Sequence, residues 1–302
     1  MKPSPFNYLN ADTIQKALIA LSDNENAKIL AGGQSLVPMM NFRLAQPDLL
    51  IDISNINELK TVNENKEYVE IGSLLTHSNA IKSHCLKNNF PIIEKAISNV
   101  AHHTIRNQGT VGGSIANADP ASEWPLLVIL LECLIKVQNK NETREITSDK
   151  FFSSHFVTSL KEDEIIISIK IPKIKNLHGW SFFEESQRDG DFAIVETAAI
   201  IQIGKNNLIN KASIAIGGVD EKVVRLKKIE NLLVGLDLNE NLCNFKKQDI
   251  DDNINPVSDN HSSIEFKKHL SFVLVKKAIN SAKEQILNNN DDKENKNRND
   301  CK

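Results

Sequence analysis

Two glycine turns lie far apart in this chain, and together they constrain its fold more than any other feature. The first is AGGQSL, with Ala31, Gly32, Gly33, Gln34, Ser35 and Leu36, directly after the short stretch Lys28, Ile29, Leu30. The second lies within TIRNQGTVGGSIANADP, residues 104–120, where Gly109, Gly112 and Gly113 lack a Cβ and permit positive φ or close approach to a ligand. Successive N–H groups in such turns can converge on phosphate oxygens. Thr110, Ser114, Asn117 and Asp119 bring short polar side chains to the same surface, while Val111 and Ile115 alternate with them and can face a core. A lone Gly-Gly pair most often marks only a tight turn. Two such turns with polar companions point to one diphosphate gripped from both sides. Neither fits the better-known nucleotide loops: the chain has no GxxxxGKS or GxxxxGKT, and no GxGxxG joins a strand to a helix.

Composition narrows the classes. A chain of 302 residues with 40% hydrophobic and 25% charged residues can bury a substantial core and hold two or three domains. The formal net charge of −3 supplies no basic field for nucleic acid. The longest apolar run, Pro125 to Ile135, is broken by Glu132 and too short to span a bilayer, so no membrane contact is expected. The start, MKPSPFNYLN, lacks a signal-like apolar core, and the expected location is the cytoplasm. Cys85, Cys133, Cys243 and Cys301 are scattered without CxxC spacing, and no HExxH occurs, so no metal site is expected. Cys133 reads as a buried small hydrophobe. His102 and His103, just before the second turn, read equally as a polar pair capping that turn or as ligand contacts. The acidic clusters Glu162 to Glu164 and Asp249 to Asp252 read as solvent-facing. No catalytic constellation emerges, and any chemistry is expected from a bound cofactor.

Taken in order, periodicity predicts a helix from Asp12 to Leu21, a strand at Lys28 to Ala31, an apolar Leu36 to Leu44 with Met39 and Met40 as core filling, and a strand at Leu49 to Ile53. A hairpin pairs Leu59 to Val62 with Tyr68 to Ile71. Residues 76–87 read as one helix capped by Thr76, and Pro91 opens another that runs into the second turn. Strands follow at Cys133 to Gln138 and Ile165 to Ile171, and a composition shift near Lys173 to His178 suggests a boundary. Beyond it come a strand Gly179 to Ser186, an apolar Phe192 to Ile203 that fits strand or helix, a strand Ala212 to Gly217 and a helix around Val223 to Leu233. Leu236 to Ser262 reads as a long surface connection, and Glu265 to Leu287 as an amphipathic helix. The end, NNNDDKENKNRNDCK, has the composition of an unstructured tail.

The segments AGGQSLVPMMNFRLAQPDLLIDI, IGSLLTHSNAI and TIRNQGTVGGSIANADPASEWP together resemble the FAD-binding medium subunit of the molybdenum hydroxylase family, which includes xanthine dehydrogenase and aerobic carbon monoxide dehydrogenase. AIGGVDEKVVRL and HSSIEFKKHLSFVLVKKA resemble its C-terminal domain, so the likeness covers nearly the whole chain. It implies an α+β fold: a two-subdomain FAD-binding fold of the PCMH/vanillyl-alcohol-oxidase type plus a smaller α+β C-terminal domain. The implied divisions are 1–55 and 56–175 for the FAD-binding subdomains, 176–287 for the C-terminal domain, and 288–302 for the tail.

By position, the resemblance places Lys28 to Leu36 along one side of FAD. It places Ala101, Ile105 and Gly109 to Ile115 along the other, Asn117, Ser122 and Glu123 near the adenosine half, and Ile165 and Ile166 near the adenine. One departure stands out: Phe183 is followed by Glu184 where relatives often carry a lysine beside the flavin, and a carboxylate there would oppose the reduced, anionic form. No catalytic residue is implied. The implied partners are a small subunit with two 2Fe–2S clusters and a molybdopterin-binding large subunit, with NAD+ or another acceptor taking the electrons. The alternative is a stand-alone flavin-dependent oxidoreductase of the same superfamily, which would need its own substrate pocket and acid.

Overall fold

A computed structural model describes residues 1–204 and 207–299, with side chains described up to residue 288. The chain divides into two compact units, Met1–Lys173 and Ile174–Lys302.

The first unit begins with a parallel three-stranded sheet in the order Asn7–Asn10, Leu49–Asp52, Ala27–Leu30. Helix Ile14–Ser22 links the first strand to Ala27–Leu30. It starts at Thr13, whose hydroxyl accepts from the Lys16 N–H at 3.2 Å, and it buries Ala17, Leu18 and Leu21. Those side chains join Ile51, Ile53, Leu59 and Ile165 in one core cluster. Each aliphatic side chain so buried contributes about 1.5–3 kcal/mol.

A second, antiparallel sheet has the order Val62–Glu64, Tyr68–Gly72, Ile165–Pro172, Leu134–Gln138, Thr143–Thr147. Its central strand, Ile165–Pro172, is buried at most positions, as expected of a near-continuous isoleucine run. Helix Glu123–Leu130 is buried at every residue, so its uniform hydrophobicity reflects a central position. The expected single helix over 76–87 is two, His77–Lys82 and His84–Asn89. Ser83 breaks it because its extended backbone and its hydroxyl, which accepts from the Leu86 N–H, start a new helix.

The second unit is an antiparallel sheet in the order His178–Ser186, Ala193–Ile203, Ile209–Gly217, Val224–Arg225. The ambiguous stretch after Phe192 is therefore strand: it pairs antiparallel with both neighbours and is buried at most positions, as a central strand covered on both faces is. Helix Ile264–Asn299 lies against the odd-numbered face of the first strand, where Ser181 donates its hydroxyl to the Ala278 carbonyl at 2.8 Å. Gly179 makes this close packing possible, since a Cβ there would strike the Ala282 carbonyl and come within 2.9 Å of Ile286. The Leu236 to Ser262 segment is not a bare surface connection. Leu238, Leu242, Phe245, Ile250 and Ile254 enter the core of this unit, so sparse apolar residues in a polar stretch anchor it. The backbone of the last helix continues through Asn299, where composition predicts an unstructured tail; side chains beyond 288, and residues 300–302 altogether, lie outside the described residues.

Candidate cofactor site

The two glycine turns meet within the first unit. Gly32 follows strand Ala27–Leu30, and a Cβ on it would fall 2.8 Å from the Gln108 carbonyl carbon, 2.9 Å from the Gly109 Cα, and closer still to the Gln108 oxygen. Backbone lies against backbone there, which only glycine permits. Gly33 takes φ +71°, and the Gln34 side-chain amide folds back to donate to the Gly32 carbonyl at 2.7 Å. Among the described residues no backbone N–H from Ala31 to Leu36 donates to a protein acceptor, whereas regular helical bonding begins with Val37 to Gly33 at 3.0 Å. A run of free donors at partly exposed glycines and the start of a helix is the arrangement that receives an anion.

The second turn is built differently. Helix His103–Gln108 ends at Gly109, and Thr110 caps helix Val111–Asn117 by accepting from the Gly113 N–H at 3.1 Å. Most of its other donors are also taken: Gly109 donates to Ile105, Val111 to Leu75, Gly112 to Ser73 and Ser114 to Thr110, while the Thr110 N–H meets no protein acceptor among the described residues. The free N–H groups expected on both turns are thus found as a run on the first, and the second keeps that of Thr110. The second contributes shape and the side chains of Ser114 and Asn117, which are partly exposed, while Val111, Gly112 and Ile115 are buried. Gly112 lies so close to Ser73 that a Cβ would meet the Ser73 Cβ at 2.5 Å.

The approach to this turn is fixed by Arg106. Its Nη1 donates to the carbonyls of Ser98, Val100 and Ala101 at 3.2, 2.8 and 2.7 Å, and Ala101 is held at φ +40°. Ile105 is half-buried; His102 and His103 are exposed, with His102 at the helix N-cap but making no side-chain cap bond. Past the turn, Ala118 takes φ +53°, and the Asp119 carboxylate accepts from the Ala121 N–H at 3.0 Å. Burial pushes the Asp119 carboxyl up, against that hydrogen bond and the His155 charge. Ser122 and Glu123 are buried at the start of helix Glu123–Leu130.

Two groups that matter here were not legible in the sequence. His77 is buried, and its Nδ1 accepts from the Trp124 indole N–H at 3.0 Å, with the rings stacked 6.4 Å apart. Burial first, and the Arg106 charge second, hold its pKa down to about 4, so the ring is neutral. Glu164, expected at the surface, is buried and paired in a two-pronged contact with Arg144, Nε to Oε1 at 2.7 Å and Nη2 to Oε2 at 2.8 Å. Burial raises its pKa, but the Arg144 bonds and the Lys161 N–H outweigh that and leave it below the usual carboxylate range. The pair anchors the strand that carries Ile165 and Ile166, both buried. Of the two methionines expected as core, Met40 is buried while Met39 is 40% exposed. Glu184 lies on the sheet of the second unit, opposite Glu196, and its assignment to a flavin rests on the resemblance alone.

A parallel strand–turn–helix lobe and an antiparallel lobe bring free backbone donors to the place where two glycine turns touch, an anion-receiving arrangement outside the Rossmann pattern. Comparison with known proteins names the class further. Residues 4–174 match the family described as the FAD binding domain in molybdopterin dehydrogenase, and residues 180–282 match the CO dehydrogenase flavoprotein C-terminal domain. The nicotine 6-hydroxylase medium subunit of Paenarthrobacter nicotinovorans is 34% identical over 92% of this chain and 98% of its own. The glyceraldehyde dehydrogenase medium chain of Sulfolobus acidocaldarius is 32% identical over 92% and 99%. Among solved structures, quinoline 2-oxidoreductase from Pseudomonas putida 86 superposes with a TM-score of 0.89 at 29% identity, covering 95% of this chain and 99% of that one. The chain therefore belongs to the FAD-binding subunits of the molybdenum hydroxylase family, and FAD is its cofactor. It is a flavoprotein subunit of a molybdopterin-containing dehydrogenase.

Proposed function

We propose that this chain relays electrons within a heteromeric molybdenum hydroxylase. It receives them from the 2Fe–2S clusters of a small partner subunit, and NAD+ or another acceptor takes them away, while a molybdopterin-binding large subunit oxidises the organic substrate. The observation that carries the reading is the run of free N–H donors from Ala31 to Leu36, set against the backbone of Gln108 and Gly109. When bound, FAD supplies a carrier that takes electrons singly and releases them singly or as a hydride. The chain's own part is to hold that carrier. Backbone donors of the first turn bind the diphosphate, Asn117, Ser122 and Glu123 line the adenosine side, and Ala101, Ile105 and Gly109 to Ile115, Ser114 among them, form the wall at the second turn. Lys28 to Leu30, Ile165 and Ile166 complete the walls.

In this reading the clusters and molybdenum are held by the partners; among the described residues no group of three or more His, Cys, Asp or Glu could hold a metal. No helix among the described residues is long and apolar enough to cross a membrane. Cys85, Cys133 and Cys243 are free thiols, which supports a reducing, cytoplasmic setting. Stopped-flow spectroscopy on the assembled complex tests the relay. Reduced iron–sulfur subunit should pass electrons to this chain's flavin before any acceptor is consumed, and acceptor turnover without change in the flavin bands would refute it.

A further inference from the structure

His77 sits where the second glycine turn is clamped. Its backbone N–H donates to the Gly109 carbonyl at 3.0 Å, and the Val111 N–H donates to the Leu75 carbonyl at 2.9 Å, so residues 75–77 run as a short antiparallel bridge beside residues 109–111. Thr76 caps the helix that begins at His77, and Ser78 donates its hydroxyl to Asn107 at 2.6 Å. The imidazole edge then faces Gly109: a Cβ on that glycine would meet His77 Cδ2 and Nε2, each at 2.8 Å. Gly109 is also the residue whose Cα abuts Gly32 of the first turn. The ring therefore stands directly behind the junction of the two turns.

Its protonation is dictated by a single partner. An indole N–H can only donate, so the Trp124 bond makes Nδ1 an acceptor, and the one proton of the neutral ring must be on Nε2. That Nε2–H has no protein acceptor among the described residues. A donor so oriented, with its tautomer fixed by a buried indole, is left available to an acceptor from outside the protein.

We propose that His77 positions the cofactor: its Nε2–H, oriented by Trp124, donates to an acceptor atom of the bound FAD beside Gly109. The inference deepens the FAD assignment and depends on it. A neutral donor suits the place, because it can bond an acceptor without adding a charge that would shift the flavin's electron affinity. Trp124 acts through His77 and has no cofactor contact in this scheme.

Histidine-selective 15N labelling of the FAD-free protein tests this directly, with the His77 signal identified by its loss in His77→Asn. Long-range proton–nitrogen spectra should show a protonated Nε2 and a bare Nδ1, and FAD addition should move the Nε2 proton downfield. His77→Asn keeps an acceptor for Trp124 but loses the outer donor, so FAD affinity read by flavin fluorescence should weaken about tenfold. His77→Gln, which returns a donor near the Nε2 position, should recover most of that loss. FAD binding that leaves the Nε2 proton unmoved, with His77→Asn binding as tightly as wild type, would overturn the proposal. A wild-type protein that takes up no FAD would overturn the cofactor assignment and this proposal with it. Should His77→Asn fail to fold, loss of the signal in His77→Gln supplies the assignment and the wild-type spectra decide.

Discussion

Gly32→Ala is the sharpest perturbation of the site. The new methyl would lie 2.8 Å from the Gln108 carbonyl carbon and 2.9 Å from the Gly109 Cα, against an ordinary contact beginning at 3.4 Å. All three neighbours are backbone, so no side chain can swing aside, and the two turns must part by more than half an ångström. Overpacking of this kind costs about 1–3 kcal/mol, and rigid neighbours place the change at the upper end. For a unit of this size about 3 kcal/mol lowers the melting temperature by about 6–12 °C. Parting the turns also breaks the alignment of the first-turn donors with a diphosphate. A hydrogen bond to a charged group is worth about 1.5–3 kcal/mol, so the loss of one weakens FAD binding about 10- to 100-fold. Calorimetry of the FAD-free protein gives the first quantity and fluorescence titration with FAD the second. Gly204→Ala is the control, since its nearest neighbours are 3.8 and 3.9 Å away, and it should stay within about 0.5 kcal/mol of wild type. Wild-type FAD affinity in Gly32→Ala would refute the claim that the junction of the turns forms the cradle.

Other outcomes follow from the same geometry. Arg144→Met strands the buried Glu164 carboxylate and should destabilise the first unit by about 3 kcal/mol, discounted toward about 1 because Arg144 is partly exposed; adding Glu164→Gln should restore part of it in a denaturant titration. The Glu164 pKa is depressed on folding, so this pair's stabilisation is complete above the unfolded value of about 4.3 and is lost as pH falls through the lower folded one; Glu164→Gln should flatten that acid limb. His77 is depressed to about 4 by burial, so the unfolded chain takes up its proton first as pH falls. Calorimetry between about pH 6.5 and 4 should show a loss of about 1.4 kcal/mol per pH unit from this group, absent in His77→Gln. Ala101→Gly relieves a left-handed alanine and should raise the melting temperature slightly, whereas Arg106→Met frees the Ser98 to Ala101 carbonyls and should weaken FAD binding.

The glycine turns were legible in the sequence because there are two of them, and Thr110, Ser114 and Asn117 accompany the second; either pair alone would read as an ordinary tight turn. Their contact was not, since residues 32 and 108 are joined only by tertiary folding. The same holds for His77 and Trp124, which lie 47 residues apart and form one hydrogen-bonded unit. Periodicity located most strands and helices, but it could not see that Ser83 would cap a new helix and split residues 76–87. Burial of charge was the weakest inference. Glu164 stands in a run of acidic residues, and only the folded structure, which brings the Arg144 guanidinium to its carboxylate, shows that it is paired inside. The polar stretch after Leu236 misleads in the opposite way, because a few well-spaced apolar residues suffice to pin a long segment to the core.

Two properties stand together here: the chain holds FAD, and it is proposed to work as one member of a larger redox complex. Native affinity capture, with the absorbance spectrum of the eluate and mass spectrometry of the captured chains, addresses both halves at once. The expected result is flavin bands in the near-ultraviolet and blue, FAD released on denaturation, and two partners: a small cysteine-rich chain and a much larger one. A colourless protein that cannot be reconstituted with FAD would contradict it, as would a yellow protein that turns over a small substrate with no partner bound.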